Sequence, residues 1–271
     1  MRKPRCLVSP FALLISCALS GCTTCTQDHH ALAQPDTLKP SEGLVLVADG
    51  AGDFRATSHA FRQGIAAEKL PLHVETFVWS HGYYRVLADQ LDQEHICEMA
   101  KSLAQRIASV RQASLQRPIY LVAHSAGCAV ALAAAAELPP DTIDRIILLA
   151  PAVPADYDLR PALRSVRLEI DVFTSRADRW YLRGSDLVSS IAHWKSLTAA
   201  GRCGFRPILQ SPEDGLLYSK LRDYPWEPRL IWTGHDGGHF GYYQQGYLRA
   251  FILPLLSARS PEAIRKASAN P

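Results

Sequence analysis

Residues 118–127 read Pro118-Ile119-Tyr120-Leu121-Val122-Ala123-His124-Ser125-Ala126-Gly127, and an alanine-rich run continues to Leu138 before Pro139-Pro140. The stretch 118–123 is apolar without alternation, as a strand buried on both faces requires. The run 126–138 is apolar nearly all round. It predicts a buried helix, stopped where two prolines remove backbone donors. Between strand and helix stands one serine on a tight turn. Such a turn crowds the backbone and needs small neighbours, which Ala123 and Gly127 supply. The helix that follows offers unpaired N–H groups and the positive end of its dipole beneath the serine.

The alternation of strand and helix extends in both directions. Apolar runs predict further strands at 44–48, 72–78, 146–150, 168–174 and 229–233. Phe61, Ile65 and Leu70 mark a helix over 56–69. Ile96, Met99, Leu103, Ile107 and Val110 recur every three or four residues and mark one over 93–113. A helix from a Ser185 cap to Gly201 and a closing helix over 239–257 complete the set. The fold class is therefore α/β, a mostly parallel twisted sheet with helices on both faces. Ligands of such sheets bind at the carboxyl ends of the strands. No internal repeat and no linker divides residues 43–256.

The strand, Ala123-His124-Ser125-Ala126-Gly127 and helix together resemble the nucleophile elbow of the α/β-hydrolase family, usually Gly-x-Ser-x-Gly. Here Ala123 replaces the first glycine, as in some lipases of the family. The resemblance spans about residues 43–257 and implies a triad in the order nucleophile, acid, histidine. Ser125 is then the nucleophile. The acid should follow the strand 168–174, which selects Asp178, with Asp156, Asp158 and Asp171 as competitors. The histidine should follow the last strand, where Gly237-Gly238-His239-Phe240 resembles the family's ending; His239 is preferred to His235. His81 and His124 are expected to pack or to line the cleft. For the oxyanion hole the resemblance implies the backbone N–H groups of Ala126 and Ala51, with Gly52 as alternative to Ala51. Asp49 stands where relatives often carry histidine.

The same resemblance implies an acyl-enzyme mechanism on a small-molecule ester. The sequence holds no spaced set of metal ligands and no phosphate loop, so neither metal nor cofactor is expected. Only residues 151–167 separate the strands on either side of the usual lid position, which leaves a minimal lid. The longest insertion is instead 179–228, with Trp180, Trp194, Tyr224 and Trp226 among its aromatics. An acyltransferase, a peptidase, or a non-catalytic lipoprotein binding module are the alternative readings of the same framework.

The 271 residues carry 29 Lys and Arg against 26 Asp and Glu. Arg2, Lys3 and Arg5 lie in the first 21 residues, which hold no acid; without those three cations the balance is 26 against 26. Nucleic acid is therefore not an expected partner, since its recognition uses a basic face. A 48% hydrophobic content excludes a disordered chain. Residues 1–21 join a cationic start to an apolar run too short to span a bilayer, as a secretory signal does. The ending Leu19-Ser20-Gly21-Cys22 resembles the lipobox of bacterial lipoproteins, which implies acylation of Cys22 and a lipid anchor in the cell envelope. Residues 22–42, with His29-His30, are polar and Pro-containing and form an expected tether. The hydrolase domain is expected over 43–258 and a polar tail over 259–271. A Cys97–Cys203 disulfide is permitted by export. Cys22→Ala is expected to move the protein from the membrane pellet to the soluble fraction on cell fractionation; retention in the pellet refutes the anchor.

Overall fold

The computed structural model describes residue 39 and residues 42–178 and 198–257. The expected leader, Cys22, the tether apart from its last residues, most of the 185–201 helix and the polar tail lie outside the described residues.

Among the described residues six strands form one sheet: β1 (Gly43–Ala48), β2 (Leu72–Thr76), β3 (Ile119–His124), β4 (Ile143–Leu149), β5 (Val166–Thr174) and β6 (Leu221–Pro225). Their order is β2-β1-β3-β4-β5-β6 and every pairing is parallel. The expected fold class is the one observed. Helices α1 (Ala56–Ala67), α2 (Val86–Leu91), α3 (Gln93–Ala113), α4 (Gly127–Ala136) and α5 (Arg160–Ser165) make the crossovers; short α6 (Ala200–Cys203) and α7 (Pro212–Tyr218) precede β6.

β1, β3 and β4 are buried throughout, which is why their sequences are continuous apolar runs rather than alternating ones. Leu44, Leu46, Leu121 and Ile146 face a core shared with α3 and α4. Val45, Val47, Val122 and Ile147 face a second core with Phe61 of α1 and Leu248, Ile252 and Leu253 near the C-terminus. In-register pairing of Ala48 with Ala123 and of Ala123 with Leu148 brings the carboxyl ends of β1, β3 and β4 level. The turns after these strands therefore meet.

Three expectations are corrected. Residues 229–233 are not a strand. Pro228–Thr233 is a 3-10 helix, with Leu230 N–H bonded to Glu227 and Gly234 N–H to Ile231. Its apolar residues Ile231 and Trp232 are 63% and 73% exposed. The last strand is β6, whose residues are mostly exposed. Among the described residues it pairs with β5 alone, so it does not need an apolar run. The closing helix does not begin at 239. A 3-10 turn occupies Gly241–Tyr243, and helix continues through Gln245–Tyr247, a π turn at Leu248–Ile252, and Leu253–Ser257. The π turn stops just before Pro254, which has no N–H to bond four residues back. No disulfide joins Cys97 to Cys203.

Inside the sheet, Arg145 of β4 is fully buried. Its Nη1 donates to Glu169 Oε2 (2.9 Å) and to Asp171 Oδ2 (2.5 Å) on β5. Burial pushes the Asp171 carboxyl up to about 6 even against the neighbouring guanidinium. Removing one partner of such a cluster strands a buried charge. Arg145→Ala is expected to destabilise the protein by about 3–5 kcal/mol in a denaturant titration, and a loss below about 1 kcal/mol would show that the cluster holds nothing together.

Candidate active site

Ser125 lies between the end of β3 and the start of α4 with φ 52°, in the left-handed region that residues bearing a Cβ avoid. Three backbone bonds hold it there. Its N–H donates to Leu149 O (2.9 Å), and its carbonyl accepts from Cys128 (3.1 Å) and Ala152 (3.1 Å). Strain of this kind persists only where the surroundings over-determine it. Gly127 is obligatory by space. A Cβ there would lie 2.4 Å from Asp49 O and 2.5 Å from Ala48 O. The turn after β1 thus presses on the turn after β3. A Cβ on Gly50 would meet His124 Nδ1 at 2.9 Å and Ser125 Cβ at 3.4 Å, which places Gly50 beside Ser125.

Asp49 has a defined task in this turn. Its Oδ1 accepts from the N–H groups of Thr57 (2.8 Å) and Ser58 (3.1 Å), capping α1, whose own preceding residue Arg55 makes no side-chain cap. Its carbonyl accepts from Trp79 Nε1 (2.7 Å). Gly52 N–H donates to Asp89 Oδ2 (2.7 Å), so this alternative donor is already committed. Asp89 itself, fully buried on α2, is absent from the sequence-based candidates. A lone aspartate in a six-residue helix carries no spacing signal; its importance comes from burial, which sequence does not display.

Asp178 follows β5 and is fully buried. Its Oδ2 lies 2.7 Å from His239 Nδ1. Ser175 Oγ donates to Gly237 O (2.7 Å), tying the loop after β5 to the loop that carries His239. His124 Nε2 donates to His239 O (3.1 Å), and the two rings lie 4.8 Å apart. This bond ties the His239 backbone to the residue that precedes Ser125 in the chain. Burial, and next the proximity of His239, push His124 down to about 3, so it is a neutral donor.

The other expected residues divide clearly. His235 is fully buried, with its ring edge-on to Tyr242 (4.4 Å) and Tyr247 (4.6 Å). Its Nδ1 accepts from Gly237 N–H (2.9 Å), and Gly241 must lack a Cβ to admit its ring. It packs, and does not face a cleft. Asp158 pairs with Arg160 (2.8 Å), Asp171 with Arg145, and Asp156 is exposed. In the 179–228 insertion Tyr224 stacks on Phe173 (4.8 Å) and Trp226 Nε1 donates to His235 O (3.0 Å); Trp180 and Trp194 lie outside the described residues. An aromatic cluster of Phe54, Tyr83 and Tyr84, with ring centroids 4.2–5.5 Å apart, stands exposed where Tyr84 N–H bonds Gly52 O (3.1 Å). No group of three or more metal-ligating side chains occurs among the described residues.

Residues 81–201 match the family model Hydrolase_4, described as serine aminopeptidase, S33. No curated protein matches the chain. Among solved structures, a predicted CIB-like hydrolase from Thermoplasma acidophilum is similar, with 13% identity over 81% of this chain and 88% of that one, at a TM-score of 0.44. An esterase from Pyrococcus furiosus has 9% identity over 84% of each chain at 0.43. A carboxylesterase from Bacillus subtilis has 11% identity over 80% of this chain and 85% of that one at 0.42.

His235 makes acid stability testable. Burial pushes its ring down to about 4, against the pull of Asp236 and Asp178. The unfolded imidazole titrates near about 6.5. Between those values the unfolded chain binds a proton that the folded chain refuses, so stability falls as pH drops. One such site contributes up to about 1.4 kcal/mol per pH unit. Asn offers Oδ1 where His235 has Nδ1. Thermal unfolding at about pH 7 and about pH 4.5 should therefore show a smaller acid loss for His235→Asn than for the parent. Asp171 acts with the opposite sign but is common to both proteins. Equal losses would refute the assignment.

Proposed function

We propose that the chain is a serine hydrolase that cleaves carboxylic esters through Ser125, His239 and Asp178. The observation that supports this reading is the left-handed Ser125 on a strand-to-helix turn, with the His239–Asp178 pair bonded to His124, the residue before Ser125 in the chain. In this reading Asp178 accepts the Nδ1 proton of His239 and fixes its tautomer, leaving Nε2 to take the Ser125 proton. The serine oxygen adds to the acyl carbonyl, and the N–H groups of Ala51 and Ala126 receive the developing oxyanion. The same histidine then protonates the leaving alkoxide, and water hydrolyses the acyl-enzyme by the reverse path. The exported, Cys22-lipidated form carries this chemistry to a bacterial envelope membrane. No described helix is long and apolar enough to cross one.

Peptide cleavage is the second reading, favoured by the description of the family model that matches residues 81–201. It uses the same groups but needs His239 to protonate an amine as it leaves. The test is fluorophosphonate labelling of the parent beside Ser125→Ala and His239→Ala, followed by paired turnover of p-nitrophenyl esters and aminoacyl p-nitroanilides. Labelling of the parent alone, with ester turnover lowered about 10⁴-fold or more in both variants, is the expected result. Anilide turnover exceeding ester turnover would replace the esterase reading by the peptidase one. A folded parent that does not label would leave a non-catalytic binding module.

A further inference from the structure

The Asp89 carboxylate is fully buried and collects four donors from two loops. Gly52 N–H (2.7 Å) and Ser80 Oγ (2.5 Å) reach Oδ2. His81 N–H (2.8 Å) and His81 Nδ1 (2.9 Å) reach Oδ1. Burial would raise its pKa, yet the bonds from Ser80, Gly52 and His81 bring it below the ordinary aspartate value. The group is an anion solvated by protein donors. Neither oxygen approaches the cleft as a reactant, because both are taken.

The consequence lies one peptide away. The Asp49–Gly50 peptide is fixed through its carbonyl by Trp79 Nε1, and the Ala51–Gly52 peptide through its N–H by Asp89. Gly52 also sits at φ +89° and has no Cβ to limit its swing. The Gly50–Ala51 peptide hangs between these two anchors. Its N–H, the proposed oxyanion donor, bonds no group among the described residues. An oxyanion donor acts only when its direction is set before the reaction. Direction at Ala51 is set from one side by Trp79 and from the other by Asp89.

We infer that Asp89 is the positioning residue of the oxyanion loop, holding the Ala51 N–H in place by capturing the Gly52 N–H. The inference rests on the serine-hydrolase reading of Ser125. It predicts a loss confined to transition-state stabilisation. Asn at 89 has one acceptor oxygen, and its amide N–H would face donors where a carboxylate oxygen now accepts. For Asp89→Asn, kcat per titratable serine should fall about 10- to 100-fold, somewhat less than the 10²- to 10³-fold typical of deleting a donor outright. KM should stay within about threefold, since the ground-state carbonyl makes little use of the hole. Counting active sites by fluorophosphonate titration removes any unfolded fraction from the comparison. If Asp89→Asn does not fold, Ser80→Ala removes one of the four donors and should lower kcat about two- to fivefold in the same direction.

An unchanged kcat in the folded variant, or a rise in KM alone, overturns the role of Asp89 while leaving Ser125 as the nucleophile. A parent that neither labels nor turns over overturns the reading of Ser125, and the role of Asp89 falls with it. Parent activity with a kcat loss at constant KM supports both.

Discussion

The site depends on one steric constraint: two turns at the carboxyl edge of the sheet occupy nearly the same space. The carbonyls of Ala48 and Asp49 lie where a side chain at 127 would be. Glycine at that position lets the turn after β1 come against the turn after β3. Parallel register then makes the contact unavoidable, because Ala48 pairs with Ala123 and both strands end together. The left-handed Ser125 is the other half of the arrangement. Its chain must leave β3, reverse and enter α4 within three residues, and three backbone bonds hold the strained geometry. A positive φ at a residue with a Cβ costs of the order of 1–2 kcal/mol, small beside the burial of the two cores that β3 separates.

Around that contact, buried polar side chains do structural work. Asp49 caps α1, which has no other side-chain cap. Arg145 and Asp171 meet inside the sheet. His235 is wedged between two tyrosine rings. In each case burial has removed water and the group is held by its bonds; desolvation shifts Asp49, Asp171 and His235, while the two carboxylates raise Arg145 against it. His239 and Asp178 are also buried, but they bond each other across the loops that follow β5 and precede the C-terminal helix.

The central strands and the long amphipathic helix were legible because burial on two faces, or along one stripe, dictates composition. Helix α3 runs over Gln93–Ala113, the span its apolar spacing predicts. Edge elements obey weaker constraints. Strand β6 has one neighbour among the described residues and is mostly exposed, so its sequence carries little signal. Leu230-Ile231-Trp232 imitates a strand although two of its three residues face solvent. Asp178, named from its position after a strand, bonds His239, but the loop before His239 follows a 3-10 helix rather than a strand. Asp89 could not be found this way. It is recognised by the four donors around it, and those come from residues 52, 80 and 81, scattered across loops whose conformation no local pattern encodes.

His124 links the two sides of the site, and its charge state decides whether the link is compatible with a basic His239. The ring touches the Gly50 position on one side and donates to the His239 carbonyl on the other. Were it protonated, a cation would stand with its ring centre 4.8 Å from that of His239. Two like charges so close in a dry site oppose each other by several kcal/mol at an effective dielectric of about 20. On the serine-hydrolase reading proposed above, the positive charge that His239 takes up during acyl transfer would be disfavoured accordingly. Burial prevents this by holding His124 neutral down to about 3. A protonated neighbour is thereby excluded over the whole range in which an ordinary histidine can act as a base. The same desolvation that keeps His124 uncharged lets it stand against a second histidine ring.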